Sequence, residues 1–363
     1  MSNNTERFPG GGQSQGKREY PVERVVGRGF DDEDYEIARE FFRNRFGRQD
    51  FVRDLEREKT EEEEKIIVWV NDETNSVLEL YGVRPLDIPS RNVHIIPEEQ
   101  WPKREDFTDS AAFYDFGTQA IFYRDNVWRS LFAYRLFHEQ LHIKSHQAAQ
   151  YVEADGKKKF EEYRSGLTLT SAKRENFSAQ FRKVNEAIIE ALAVQFWEER
   201  IAADERFRAE MEKVERLRAV LREESAALKT ANKLSDEEFE AAAGEICAAL
   251  PGQGDGEPEL VRFAYSAERA ALSMLISKLA EHDPARLAEA PAKRALGADA
   301  GEIFGLFVKS ALSGRMVELG KLIDRTFGAG TFKRLGAISS EKHTKEELLA
   351  FVNDLRSEEK NGV

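Results

Sequence analysis

The chain has a single cysteine, Cys247, so it can form no internal disulfide and needs no oxidising compartment to fold. Eighteen consecutive apolar residues occur nowhere, which excludes a transmembrane helix. Positive charge is in deficit: 54 Lys and Arg stand against 67 Asp and Glu, for a net charge of -13. That balance disfavours nonspecific binding to nucleic acid or to an anionic membrane. No repeat of solenoid period is present, and "RFPGGGQSQG" has no strand before it, so no glycine-rich phosphate loop is formed. The first twenty residues lack an apolar h-region and read as a disordered tail, which makes the cytoplasm the default location.

Hydrophobic residues make up 41% and charged residues 33% of the 363, the balance of a chain that folds around a real core. "DDEDYEIAREFFRNRFGRQDFVRDLEREK" spaces its apolar residues as an amphipathic helix, and "EKTEEEEK" reads as a solvated helix end or loop. "KIIVWVND", "RNVHIIPE" and "GTQAIFYRD" are short β-branched or aromatic runs that read as strands. Asp125 and Asn126 can cap a following helix, which the pattern extends to about Tyr151, where "EADGKKK" supplies a turn. "YRSGLTLTS" alternates like a strand, and "FSAQFRKVNEAIIEALAVQFWEERI" returns to helix. Beyond Ala202 nearly everything looks helical. Ser235 and Glu238 have capping-box spacing for a helix ending near Leu250, with Cys247 a buried small hydrophobe on it. "PGQGDGEPE" is a loop, and "LVRFAYSAERAALSMLISKLA" and "MVELGKLIDRTFGAG" are further helices. The expected organisation is α+β: a tail (1–20), a core with strands and metal-binding helices (21–201), and a mostly helical C-terminal region (202–363).

Histidine is also scarce, six in all, yet His138, His142 and His146 all fall within "LFHEQLHIKSHQ". His138 to His142 spell H-E-x-x-H. Residues four apart lie on one helical face about 6 Å apart along the axis, so two imidazoles can converge on one zinc at about 2.0–2.1 Å. Glu139 then sits beside the metal, where a general base for its water belongs. His146 lies about 12 Å along the same helix from His138, too far to share the ion. The third ligand is sought downstream in "VNEAIIEALAVQFW". Glu186 and Glu190 share a helical face, and a carboxylate in so apolar a segment needs a cation or strong hydrogen bonds. Glu186 as ligand and Glu190 as acceptor from a ligand histidine satisfy both. The alternative has Asn185 capping the helix, Glu186 favouring its dipole and Glu190 pairing with a basic residue.

"HEQLH" followed by "NEAIIE" resembles the gluzincin, or thermolysin-like, metallopeptidases. The resemblance covers about Gly117 to Ile201. It implies a zincin-like core, one zinc ion per chain on His138, His142 and Glu186, Glu139 as the base, and Asn185 and Glu190 holding the ligand histidines. It further implies zinc-dependent hydrolysis of peptide bonds, with a peptide or protein as substrate. The strand before the metal helix, "TQAIFYRD", is assigned to hold that substrate as an added strand. Forty-three residues separate His142 from Glu186, more than in thermolysin, so "GKKKFEEYRSGLTLTS" is an insertion. The aminopeptidase motif G-x-M-x-N is missing, and Tyr265, Tyr163 and His146 all stand as candidates to stabilise an oxyanion. The competing reading is a non-catalytic helical interaction protein with a structural or absent metal, which the charged helix "RFRAEMEKVERLRAVLREE" would suit. A structural zinc site needs no carboxylate beside its histidine and is usually filled by Cys and His.

Overall fold

The computed structural model describes residues 16–26, 32–47, 54–101, 111–125, 128–154, 157–171, 178–232, 245–250, 259–282 and 301–356. The tail and the Ser235/Glu238 capping box lie outside them, apart from 16–20. In chain order the elements are β1 (Val22–Val26), α1 (Asp32–Gly47), α2 (Glu61–Leu80), β2 (Val93–Ile96), β3 (Ala112–Asp115), β4 (Ala120–Arg124) and α3 (Arg129–Lys144). There follow β5 (Gln147–Ala154), β6 (Lys157–Ser165), β7 (Thr168–Ser171), β8 (Ser178–Gln180), α4 (Arg182–Phe196) and α5 (Arg208–Asn232). The chain continues through β9 (Ile246–Leu250), β10 (Glu259–Arg262), α6 (Ser266–His282), α7 (Gly301–Ser313), α8 (Val317–Phe327), α9 (Thr331–Ile338) and α10 (Lys345–Asp354). This is a mixed α+β protein, and one hydrophobic core runs through it from Phe46 to Leu355.

"KIIVWVND" is helical, not a strand: it lies in α2. The β-branched run is overruled at its start by a capping box, in which Thr60 accepts from the Glu63 amide at 3.2 Å and Glu63 accepts from the Thr60 amide at 2.8 Å. Glu61 to Glu64 then favour the positive end of the helix dipole. The buried side of α2 is partly polar, and that polar strip grips α3. Asn71, Thr74 and Asn75 place four oxygens within 2.7–3.1 Å of Lys144 Nζ, and Thr74 donates to Gln140 at 2.9 Å.

Three sheets frame these helices. β2 pairs parallel with β4, and β3 antiparallel with β4, giving the order β2-β4-β3. A five-stranded sheet runs β1-β5-β6-β7-β8, with β1 parallel to β5 and the rest antiparallel. β9 and β10 form a separate antiparallel pair. Cys247 is buried as expected but lies on β9, and Leu260 to Arg262 belong to β10, so helix α6 starts only at Ser266. The first helix is described over Asp32–Gly47, and Asp54 to Lys59, which the sequence pattern included in it, lie outside any helix. Helix α4 packs on α3 and on α6 and α7, which places the central part of the chain between the early sheets and the late helices.

The metal-motif helix α3 ends at Lys144, not near Tyr151. Ser145 is extended, its hydroxyl donates to the Leu141 carbonyl at 2.6 Å, and Gln147 donates to the His142 carbonyl at 2.8 Å. Arg18 donates to the Lys144 carbonyl. With these last carbonyls met by side chains, the helix ends without a glycine and the chain passes into β5. At the other end Asp125 pairs with Arg57 at 2.6 Å and does not cap. Glu210 of α5 does so from a distance, accepting from the Arg129 and Ser130 amides at 3.1 and 2.8 Å.

Candidate metal centre

His138 and His142 project from one face of α3 toward the first turns of α4. The Nε2 atoms of the two histidines are 3.0 Å apart, and Glu186 Oε2 lies 3.1 Å from His142 Nε2 and 3.5 Å from His138 Nε2. A tetrahedral ion with bonds of about 2.0–2.1 Å has ligand-to-ligand edges of about 3.3–3.4 Å, so the three spacings bracket what one such ion requires. Among the described residues these three side chains form a group that could hold a metal ion. The donor chemistry fits: two imidazoles and one carboxylate, on adjoining helices, all turned inward.

Glu190 fixes the histidine side of the group. It is 1% exposed, accepts from the Tyr134 hydroxyl, and lies 2.8 Å from His138 Nδ1. A carboxylate only accepts, so Nδ1 carries the hydrogen, and Nε2 is the nitrogen that would ligate once it gives up its own proton. Burial works against a charge on His138, but bonding with Glu186 and Glu190 outweighs it and holds His138 well above the ordinary imidazole value. For Glu186, burial pushes upward, and the two histidines win and drive it well below the carboxylate range. A proton on His138 and the negative charge on Glu186 thus stabilise each other.

Asn185 does not hold a ligand histidine as the resemblance implied. Its side-chain oxygen accepts from the Leu167 amide at 2.9 Å, bracing the turn between β6 and β7. Nor does it cap α4, whose cap is Phe181 in the left-handed region at φ 61°. Phe181 is held by Gly336, to whose carbonyl its amide donates at 2.9 Å; a Cβ at Gly336 would stand 2.3 Å from the Phe181 ring. Tyr265, immediately before α6, is left-handed too, at φ 52°. Strained residues thus start both helices flanking the centre.

Glu139 is 9% exposed, and its Oε2 accepts from the Tyr114 amide of β3 at 2.8 Å. Burial raises its pKa above the ordinary carboxylate value. Around it opens a cleft of 440 Å³ walled by β3, α3, the β6–β7 segment, α4 and Tyr265. The insertion between motif halves therefore has a place: Glu162, Ser165, Thr168 and Thr170 form one wall of the cleft. Glu162 was not anticipated, and its carboxyl is pushed up to about 7, chiefly by burial. The alternation read in "YRSGLTLTS" begins after Glu162, so nothing in the sequence alone turns that carboxylate toward the centre.

Of the three oxyanion candidates, the structure brings only Tyr265 to the cleft, its ring stacked on His138 at 6.0 Å and 11°. Tyr163 is 38% exposed and outside the lining, and His146 turns toward Glu23 and Gly314. "TQAIFYRD" is also displaced from its expected role. β4 is the middle strand of its sheet, and the strand at the cleft is β3.

Compared with known proteins, the chain matches no family model, no curated protein and no solved structure. No described helix is long and apolar enough to cross a membrane.

Proposed function

We propose that this protein is a zinc-dependent peptidase with a zincin-like core of the gluzincin kind. The observation that carries the reading is the convergence of His138 Nε2, His142 Nε2 and Glu186 Oε2 within 3.0–3.5 Å of one another, with Glu139 next to His138 on the same helix. These three residues would hold the ion, and Glu190 keeps His138 in the ligating tautomer. Bound there, zinc supplies Lewis acidity and a water of lowered pKa, near 7.

The rest is done by the chain. Glu139, anchored through one oxygen by the Tyr114 amide, keeps the other for a proton taken from water and returned to the leaving amine. Its raised pKa suits both halves of that exchange. Negative Glu186, burial and Glu139 push the Tyr265 phenol up, so it stays protonated and can donate to oxygen that gains negative charge. The peptide is placed along β3, at the edge of its sheet; peptide binding that leaves all the β3 backbone resonances unmoved would sink that placement.

The test is metal analysis together with peptide turnover. One zinc per chain is expected in wild type and in Glu139→Gln, with loss in His142→Ala and Glu186→Ala, and turnover only in wild type. Wild type that takes up no zinc would overturn the reading and leave the non-catalytic interaction protein.

A further inference from the structure

We propose that a second cavity, on the far side of Tyr265, is a carboxylate-binding subsite anchored by Arg135 and Arg262. The cavity measures 240 Å³ and shares Ala112, His138, Glu139 and Tyr265 with the main cleft, so a molecule held in it reaches the metal-binding group. Arg135 lies three residues before His138 on α3 and Arg262 ends β10; both line the cavity.

Neither guanidinium makes a side-chain hydrogen bond or ion pair among the described residues, and Arg135 is partly buried. A guanidinium offers five donors and is normally paired when removed from water. The acids sharing the cavity bond elsewhere and not to either arginine: Glu190 to Tyr134 and His138, and Glu139 through one oxygen to the Tyr114 amide. The neighbouring Arg269 is bound to Glu245. Two guanidinium groups on one small cavity, neither paired among the described residues, match a planar carboxylate, which each can bind in a bidentate fork.

The substrate class follows: a peptide carrying a carboxylate near the scissile bond, either an acidic side chain or a free C-terminus. That assignment rests on the peptidase reading; the carboxylate site itself does not.

The experiment is a calorimetric titration of the metal-free full chain with three tripeptides: acetyl-Ala-Ala-Glu amide, acetyl-Ala-Ala-Gln acid and acetyl-Ala-Ala-Gln amide. At least one carboxylate peptide should bind about tenfold or more tighter than the neutral one, the scale of a charge-assisted pair. The preferred peptide identifies the side-chain or C-terminal source. The preference should collapse in Arg135→Gln and weaken in Arg262→Gln, an exposed position that tolerates change. Equal binding of all three peptides, or a preference that survives both variants, overturns the subsite. Turnover by the zinc-loaded chain is scored separately: carboxylate preference without turnover removes the peptidase and keeps the subsite.

Discussion

Replacing Glu190 by Gln changes one atom and removes one charge at the most buried acid of the site. Glu190 faces two donors, the Tyr134 hydroxyl and His138 Nδ1, and meets both only because a carboxylate has two accepting oxygens. An amide has one acceptor and one donor end. If its NH2 faces His138, the ring takes the other tautomer and Nε2 no longer has a lone pair for the metal. If its oxygen faces His138, the Tyr134 hydroxyl is left opposite a donor. The first arrangement costs the ligating tautomer, the second leaves the Tyr134 O–H without its acceptor, and both lose the field of the carboxylate. Loss of such a partner weakens metal binding roughly 10- to 100-fold, or about 1.4–2.8 kcal/mol. Competition for zinc against a chelator of known affinity at pH 7 measures this, with a thermal melt of the metal-free variant to show that it folds. Zinc affinity within about twofold of wild type in a folded Glu190→Gln would refute the orienting role.

Gly166→Ala should lower the unfolding free energy by about 2–3 kcal/mol, and the urea midpoint with it. The position is left-handed at φ 58° and an added Cβ would stand 2.3 Å from Asn185 Oδ1, displacing its bond to Leu167; an unchanged midpoint in urea would contradict the close approach. Lys144→Met should cost about 3 kcal/mol, because the four oxygens of Asn71, Thr74 and Asn75 lose their shared donor between α2 and α3; a variant as stable as wild type would show that the strip is self-satisfied. Glu162→Gln should stabilise the metal-free protein at pH 8 but not at pH 4. The folded carboxyl titrates at about 7 against 4.5 for the ordinary group, so the native state binds the proton more tightly and loses up to about 3 kcal/mol as pH rises through that window. Melting curves of wild type and variant that run parallel from pH 4 to pH 8 would exclude the buried acid.

The residues that form the centre could be read because their chemistry is rare. Three histidines in twelve residues, and two carboxylates in an apolar helix, leave few bland explanations, and spacing on a helix carries both readings into three dimensions. What escaped was set by partners distant in sequence. The helix identity of "KIIVWVND" depends on Thr60 before it and on a polar strip whose purpose, holding Lys144, appears only across the α2–α3 interface. The end of α3 depends on Arg18 and Gln147 reaching its last carbonyls, and its beginning on Glu210 some eighty residues away. Glu162, Arg135 and Arg262 are ordinary charged residues in the sequence; only the sheet register and the left-handed Tyr265 between the cavities make them walls of a site. The candidate metal group is thus a local property of two helices, whereas the shape of the cleft around it is a property of the whole fold.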